Sequence, residues 1–153
     1  MTRRISIEVI SCLLIILFIY TGLNKLMEYS NFKFQLGRSP FIQPMAGLIA
    51  RTLPFGELLI AVALIFRKTR MAGLYASYGL MLLFTGYIYL MLKFTYDLPC
   101  SCGGVLAQLS WSDHLIFNIG FTLLALSGII LQAGMHSKVI TENNIHKKII
   151  APA

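Results

Sequence analysis

Charged residues are scarce in this chain: Asp, Glu, Lys and Arg make up only 12% of its 153 residues. A soluble domain usually contains about 25% charged residues, and a much smaller share leaves a water-facing surface poorly covered. Hydrophobic residues make up 57% of the chain, and its mean hydropathy is +0.74. These values exclude an ordinary soluble domain and indicate that lipid is the main solvent of the protein.

Acidic residues are scarcer still, with 6 against 13 basic ones, which gives a net charge of +7. A positive balance alone would suggest a nucleic-acid partner. Here, however, the basic residues cluster at the ends of apolar runs, where they act as topology determinants and contact anionic lipid headgroups. We therefore expect a lipid bilayer, and no nucleic acid, as the partner of this charge.

Four apolar runs are long enough to cross a bilayer, which takes about 20 helical residues. They cover approximately residues 5–27, 45–66, 71–92 and 115–133. The first run lacks a small-residue cleavage site, so we expect it to be retained as a helix. Backbone groups in hydrocarbon must be hydrogen-bonded internally, so the sequence predicts an all-α, polytopic bundle of four transmembrane helices. This domain would occupy residues 1–135, followed by a cytoplasmic tail over residues 136–153.

The distribution of basic residues predicts the orientation. Four spans place eight of them on one side, namely Arg3, Arg4, Arg67, Lys68, Arg70, Lys138, Lys147 and Lys148. The other side has five, Lys25, Lys33, Arg38, Arg51 and Lys93. The richer side should be the cytoplasm, which places both termini there and predicts a multi-pass protein of the cell inner membrane. The loop between spans three and four then faces the periplasm, where disulfides are permitted.

That loop contains two of the three cysteines, Cys100 and Cys102, followed by Gly103 and Gly104. A bridge across one intervening residue closes a very small ring, and departures from relaxed geometry make a disulfide easier to reduce. Closing so short a loop also removes little chain entropy, so the bridge would be a poor staple. The spacing favours a redox pair. The alternative is a structural or adventitious pair.

The sequence has no second cysteine pair. Cys100, Cys102 and His114 could contact a metal, but a structural zinc site needs four ligands, so we expect none. Cys12 lies alone in the first apolar run. We interpret it as a buried residue that behaves as a small hydrophobe.

Two ionisable residues fall within the apolar runs. Glu57 lies near mid-bilayer, where an unpaired charge costs at least about 2.5 kcal/mol, so a functional role is the default hypothesis. Lys25, near the outer end of the first span, is its candidate partner. Counting from the cytoplasmic helix ends places Lys25 about 10 Å higher than Glu57 at the α-helical rise. Arg51 and Pro54 predict an irregular stretch in the second span. The alternative role for the pair is a structural bridge within the bundle.

His114 and Asn118 share one face at the outer end of the fourth span. This placement suggests that His114 could shuttle protons from a thiol. The alternative is a surface histidine without such a role. Together with Lys25 and Glu57, these residues suggest a proton site or a quinone-headgroup site beneath the cysteine loop. The sequence does not identify a cofactor beyond this suggestion.

Three short motifs occur in order along the chain. Tyr20–Leu26 contains Gly-x-x-Lys, Pro54–Leu59 contains Pro-x-x-Glu, and Cys100–Gly104 contains Cys-x-Cys-Gly. Together they resemble the DoxX-like membrane proteins, and the last resembles their MauE branch, the methylamine utilisation proteins. The resemblance covers nearly the whole chain up to about Gln132. It implies a four-helix inner-membrane protein associated with periplasmic thiol redox chemistry, often beside a thioredoxin-like partner.

The resulting hypothesis is a thiol-disulfide redox protein. Cys100 and Cys102 would exchange electrons between a periplasmic thioredoxin-like or exported protein and a membrane carrier. Lys25, Glu57 and His114 would support that site. The alternative is a non-enzymatic accessory subunit of a larger membrane complex. A transporter is disfavoured, because the chain has neither an internal repeat nor many polar groups at mid-membrane.

Overall fold

The structure, a computed structural model, describes residues 2–39, 42–94 and 110–150. This part of the chain is helical and contains no strand. The helices are α1 (Thr2–Met27), α2 (Tyr29–Gly37), a 3-10 turn (Gln43–Met45), α3 (Ala46–Ile65), α4 (Arg70–Phe94) and α5 (Trp111–Ile150). Within the described residues, four segments are long and apolar enough to cross a membrane, Arg3–Met27, Gln43–Ile65, Arg70–Phe94 and Ser112–Met135. The predicted all-α, multi-pass fold is confirmed. The orientation of the termini and the domain boundary at residue 135 stay predictions.

The core of the bundle forms where one stripe of each long helix faces the others. On α1 the buried residues follow helical spacing, with Ile7, Leu14 and Phe18 almost fully enclosed. Leu14 and Phe18 belong to one apolar cluster with residues of the other three long helices, such as Leu64 and Leu74. The large side chains on the opposite faces are exposed, because these faces meet lipid rather than water. Along the bundle, α1 packs against α3 and α4 packs against α5.

The prediction of an irregular stretch at Arg51 and Pro54 is wrong, because α3 continues as one α-helix through both residues. A proline removes one backbone hydrogen bond, but transmembrane helices tolerate this where neighbouring helices pack closely. Pro54 is fully buried, and its carbonyl oxygen lies 3.3 Å from the position that a Cβ of Gly22 would take. α3 therefore remains α-helical through a local helix breaker, where it packs against α1.

The short helix α2 covers one side of the bundle. Phe32 and Leu36 of α2 are buried in a cluster with Ala46 and Ala50 at the start of α3. Just after α2, the hydroxyl of Ser39 accepts a hydrogen bond of 3.0 Å from Tyr87 of α4. The connection between the first two spans is therefore a packed layer against α3 and α4.

The contact between α3 and α4 depends on Gly73. A Cβ at this position would lie 3.0 Å from both the backbone nitrogen and Cδ2 of Leu64. We expect Gly73→Ala to lower the stability by about 1–3 kcal/mol, because the backbone atom cannot move aside. Thermal unfolding of the detergent-solubilised protein measures this. The control is Gly79→Ala on the same helix, where a Cβ meets nothing within 4 Å. Equal melting temperatures for the two variants would contradict the prediction.

Candidate functional site

A buried ion pair joins α1 and α3. The Lys25 Nζ lies 2.6 Å from Oε1 of Glu57, and the two side chains are only 8% and 1% exposed. The predicted pairing of these residues is therefore observed. The bond is short and charge-assisted, the stronger class of protein hydrogen bond.

Helix geometry explains why the expected 10 Å offset does not keep the pair apart. Gly22 of α1 packs against the Pro54 carbonyl and the Leu58 side chain, so residue 22 is level with the middle of α3. Lys25 lies one turn further along α1. Side chains tilt toward the N-terminus of their own helix. Because α1 and α3 are antiparallel, the Lys25 side chain tilts toward the start of α1 and the Glu57 side chain tilts toward the start of α3. The two side chains therefore meet between the helices. Counting from helix ends missed this, since the ends are not at one level.

Two aromatic rings also contact the lysine ammonium. The Lys25 Nζ lies 5.4 Å from the ring centroid of Phe84 on α4 and 5.8 Å from that of Phe32 on α2. Such contacts stabilise a desolvated cation by about 2 kcal/mol in favourable cases. The charged form of Lys25 is therefore supported by a carboxylate on one side and by aromatic faces on others.

The two carboxylate oxygens of Glu57 differ in their hydrogen bonding. Its Oε2 is buried and has no hydrogen-bond partner among the described residues. The Thr21 hydroxyl also faces Glu57, but it donates its hydrogen to the Leu17 carbonyl oxygen at 3.0 Å. A buried acceptor without a donor is costly and calls for a partner such as water or a ligand.

Glu57 also lines a cavity of about 360 Å³. Its wall is mostly apolar and is formed by all five helices together with Ile42. The polar side chains in the wall include Lys25, Glu57, Tyr87 and His114. An apolar chamber with a few polar groups is the usual form of a small-molecule site, and such sites measure about 300–1,000 Å³.

His114 and Asn118 line the same cavity from α5. They are only 8% and 4% exposed, so the alternative of a surface histidine is excluded. The Asn118 amide donates to the His114 carbonyl oxygen at 2.9 Å, and the Thr122 hydroxyl donates to the Asn118 carbonyl oxygen at 2.7 Å. The predicted shared face of His114 and Asn118 is confirmed.

Cys100 and Cys102 lie outside the described residues, but the attachment points of their loop are described. The loop leaves from Phe94 at the end of α4 and returns at Ser110, whose hydroxyl accepts a bond from the Asp113 backbone nitrogen at 3.2 Å. His114 follows one turn later. The cavity therefore lies in the half of the bundle from which the cysteine loop extends.

The third cysteine lies elsewhere. Cys12 is exposed on the outer, lipid-facing side of α1. The interpretation of Cys12 as a buried residue is wrong, because the core face of α1 at this level is occupied by Ser11 and Leu14.

Sequence reasoning missed three contributors to the cavity, namely Thr21, Tyr87 and the apolar side chains of α2. For Thr21 and Tyr87 a weak signal was present, since each is a hydroxyl-bearing residue within an apolar run. For α2 there was none, because its packing depends on how the connection folds back.

The ion pair gives a prediction on stability. Lys25→Met leaves the Glu57 carboxylate buried and unpaired, which should cost about 3–5 kcal/mol. The double variant Lys25→Met/Glu57→Leu removes both charges and should recover most of that loss. Thermal unfolding in detergent measures each variant, and Lys33→Met at an exposed position serves as the control. A double variant that is no more stable than Lys25→Met would show that the two charges are not coupled.

Comparison with known proteins agrees with this architecture. A sequence model of the family described as "Methylamine utilisation protein MauE" matches residues 3–131, which include all four membrane-spanning helices up to the last turn of the fourth. No curated protein and no solved structure matches the chain. The match covers well over half of the sequence, and the chain therefore belongs to the MauE family.

Proposed function

We propose that this protein is a thiol-disulfide redox protein of the cell inner membrane. Cys100 and Cys102 exchange electrons with a periplasmic thioredoxin-like or exported protein, and the bundle beneath them connects to a membrane carrier. The observation that carries this proposal is the position of the cavity. A largely apolar chamber, with Lys25, Glu57 and His114 in its wall, lies in the half of the bundle from which the loop with the two closely spaced thiols extends.

The orientation follows from the charge distribution. Arg4 of α1 and Arg67 and Arg70 of the link and α4 line one cleft at the end of the bundle opposite the cysteine loop. Positively charged ends favour the cytoplasmic side. The charge distribution supports our proposal that the termini are cytoplasmic and the loop periplasmic. The proposed relation to the DoxX-like membrane proteins rests on the Gly-x-x-Lys and Pro-x-x-Glu motifs.

The exchange itself needs only the two sulfurs and a substrate dithiol. A substrate thiolate attacks one sulfur of the Cys100–Cys102 disulfide, the S–S bond breaks, and a mixed disulfide forms while the other cysteine leaves as a thiolate. The second substrate thiolate then attacks the mixed disulfide and releases the first cysteine. The substrate is oxidised to a disulfide and the cysteine pair is reduced by two electrons. Two protons accompany these electrons, and His114, near the base of the loop, is placed to accept one.

The cavity suits the carrier that would reoxidise the pair. A membrane quinone takes up two electrons and two protons. The residues present fit its headgroup, because the wall is largely apolar, His114 can donate a hydrogen bond to a quinone carbonyl, and the Glu57 carboxylate can accept one from a quinol hydroxyl. Lys25 holds Glu57 in place through one carboxylate oxygen. These side chains would hold the ring, exclude bulk water and exchange protons with it.

The second candidate is an accessory subunit of a larger membrane assembly. Ala76 and Gly79 are at least partly exposed on α4, and a Cβ at Gly79 would meet nothing within 4 Å, so this face could receive another helix. Gly73 does not belong to that face, because it packs inward against Leu64. Copurification at fixed stoichiometry with dispensable cysteines would favour this candidate.

Trapping tests the redox proposal. In cells that express Cys100→Ala or Cys102→Ala, the remaining thiolate should attack the disulfide of an oxidised partner protein and stay linked to it, because the second cysteine that would release the partner is absent. Non-reducing electrophoresis detects the complex. Cys12→Ala, which removes the lipid-facing thiol, is the control and should trap nothing. Absence of a complex in both single variants, with full cellular function, would exclude the exchange.

Thiol labelling tests the orientation. In the Cys12→Ala background, a membrane-impermeant maleimide added to intact spheroplasts after mild reduction should modify Cys100 and Cys102. We expect this labelling because the loop is proposed to face the periplasm, where the reagent has access to it. Mass analysis of the purified protein counts the added groups. Labelling only after the membrane is permeabilised would place the loop in the cytosol and remove the setting for disulfide chemistry.

A further inference from the structure

The end of the bundle opposite the cysteine loop has its own cluster of charges. Glu8 of α1 is shared by two arginines, since its Oε1 lies 3.7 Å from Arg4 Nε and 3.7 Å from Arg67 Nη2. Arg70, at the start of α4, donates from Nε to the Leu64 carbonyl oxygen at 3.3 Å. Two guanidinium groups thus contact one carboxylate, and the guanidinium-bearing Arg70 lines the same cleft.

These arginines line a second cavity, of about 400 Å³, between α1, α4 and α5. Gln132 of α5 contributes to the wall, and its side-chain oxygen is buried without a hydrogen-bond partner among the described residues. The cavity therefore offers several positively charged donors and one unsatisfied acceptor. A ligand that fits it has an anionic group beside a hydrogen-bond donor such as a hydroxyl.

The arginines keep donors available for such a ligand. Contacts of 3.7 Å to Glu8 are long compared with charge-assisted hydrogen bonds of about 2.7–2.9 Å, and Glu8 cannot neutralise three cations. The Arg4 and Arg67 side chains are 60% and 69% exposed, so both can turn toward a bound group. A guanidinium has a planar fork of N–H donors, which matches phosphate oxygens.

The surroundings point to a lipid rather than a free ion. Large apolar side chains next to the cluster are exposed on the outside of the bundle, with Ile5 at 54%, Ile65 at 53% and Phe66 at 60%. These faces meet acyl chains in the bilayer. Basic pockets between transmembrane helices at the cytoplasmic surface bind anionic headgroups.

We propose that this cavity binds the headgroup of an anionic phospholipid with a free hydroxyl, of the phosphatidylglycerol type. Arg67 and Arg70 donate hydrogen bonds to the phosphodiester oxygens, and a glycerol hydroxyl donates to the free oxygen of Gln132. The acyl chains lie along the outward apolar faces of α1 and α3. The site is separate from the Lys25–Glu57 cavity and does not depend on the redox proposal.

The test uses the purified full-length protein in detergent. Phosphatidylglycerol, phosphatidylcholine and inorganic phosphate are titrated separately, with binding followed by native mass spectrometry and by the melting temperature. We expect phosphatidylglycerol to bind and raise the melting temperature, and the other two to bind at least tenfold more weakly. Equal stabilisation by inorganic phosphate would overturn the lipid assignment. Equal binding of phosphatidylcholine would show that charge plays no part.

Variants locate the site. Arg67→Gln and Arg67→Gln/Arg70→Gln should weaken phosphatidylglycerol binding at least tenfold, and Gln132→Leu should reduce the preference for the hydroxyl-bearing headgroup. Arg67 is largely exposed, so its single variant should fold normally. Lys68→Gln is the matched control, since it removes one charge from the same link but does not line the cavity. Unchanged binding in the arginine variants, or an equal loss in Lys68→Gln, would overturn the proposal.

Discussion

Placing a lysine and a glutamate inside a four-helix membrane bundle constrains everything around them. An isolated charge at the centre of a bilayer costs at least about 2.5 kcal/mol, so Lys25 and Glu57 can be buried only if α1 and α3 hold them in register. The close approach of Gly22 to Pro54 provides that register. Since the helices are antiparallel, the tilt of each side chain brings the two ends together. The ion pair thus sets the relative height of two spans, and the cavity beside it follows from that height.

Much of this arrangement was accessible from the sequence, for physical reasons. Hydropathy and length predicted the four spans, because a helix in lipid has few alternatives. The pairing of Lys25 with Glu57 could be predicted because so few charges occur within the spans. The predictions of an irregular stretch at Pro54 and of a buried Cys12 were wrong. Both depend on which side of a helix faces its neighbour. The contribution of α2 to the cavity could not be predicted either, since it arises from a connection folding back onto α3 and α4.

Several other polar residues of the bundle are satisfied within their own helices. The hydroxyl of Ser77 donates to the Gly73 carbonyl oxygen one turn earlier, at 2.7 Å. The amide of Asn118 donates to a carbonyl oxygen one turn earlier in the same way. Such local bonds let a polar side chain enter a membrane without a partner on another helix. The Glu57 carboxylate can only accept hydrogen bonds, and Lys25 of α1 donates to one of its oxygens. The second oxygen is buried with no partner among the described residues, and Glu57 lines a chamber in the bundle.

The cavity beside the ion pair bears on whether the role of the pair is structural or functional. A pair whose only role is to join helices is best served by close packing and by donors for both carboxylate oxygens, because voids and unsatisfied acceptors are each destabilising. Here Glu57, with one unsatisfied oxygen, and His114 both line a cavity of about 360 Å³. The bundle forgoes stability at this cavity, in the half that carries the cysteine loop. A site that must admit a ligand or pass protons has a reason to be built in this way, whereas a helix staple has none.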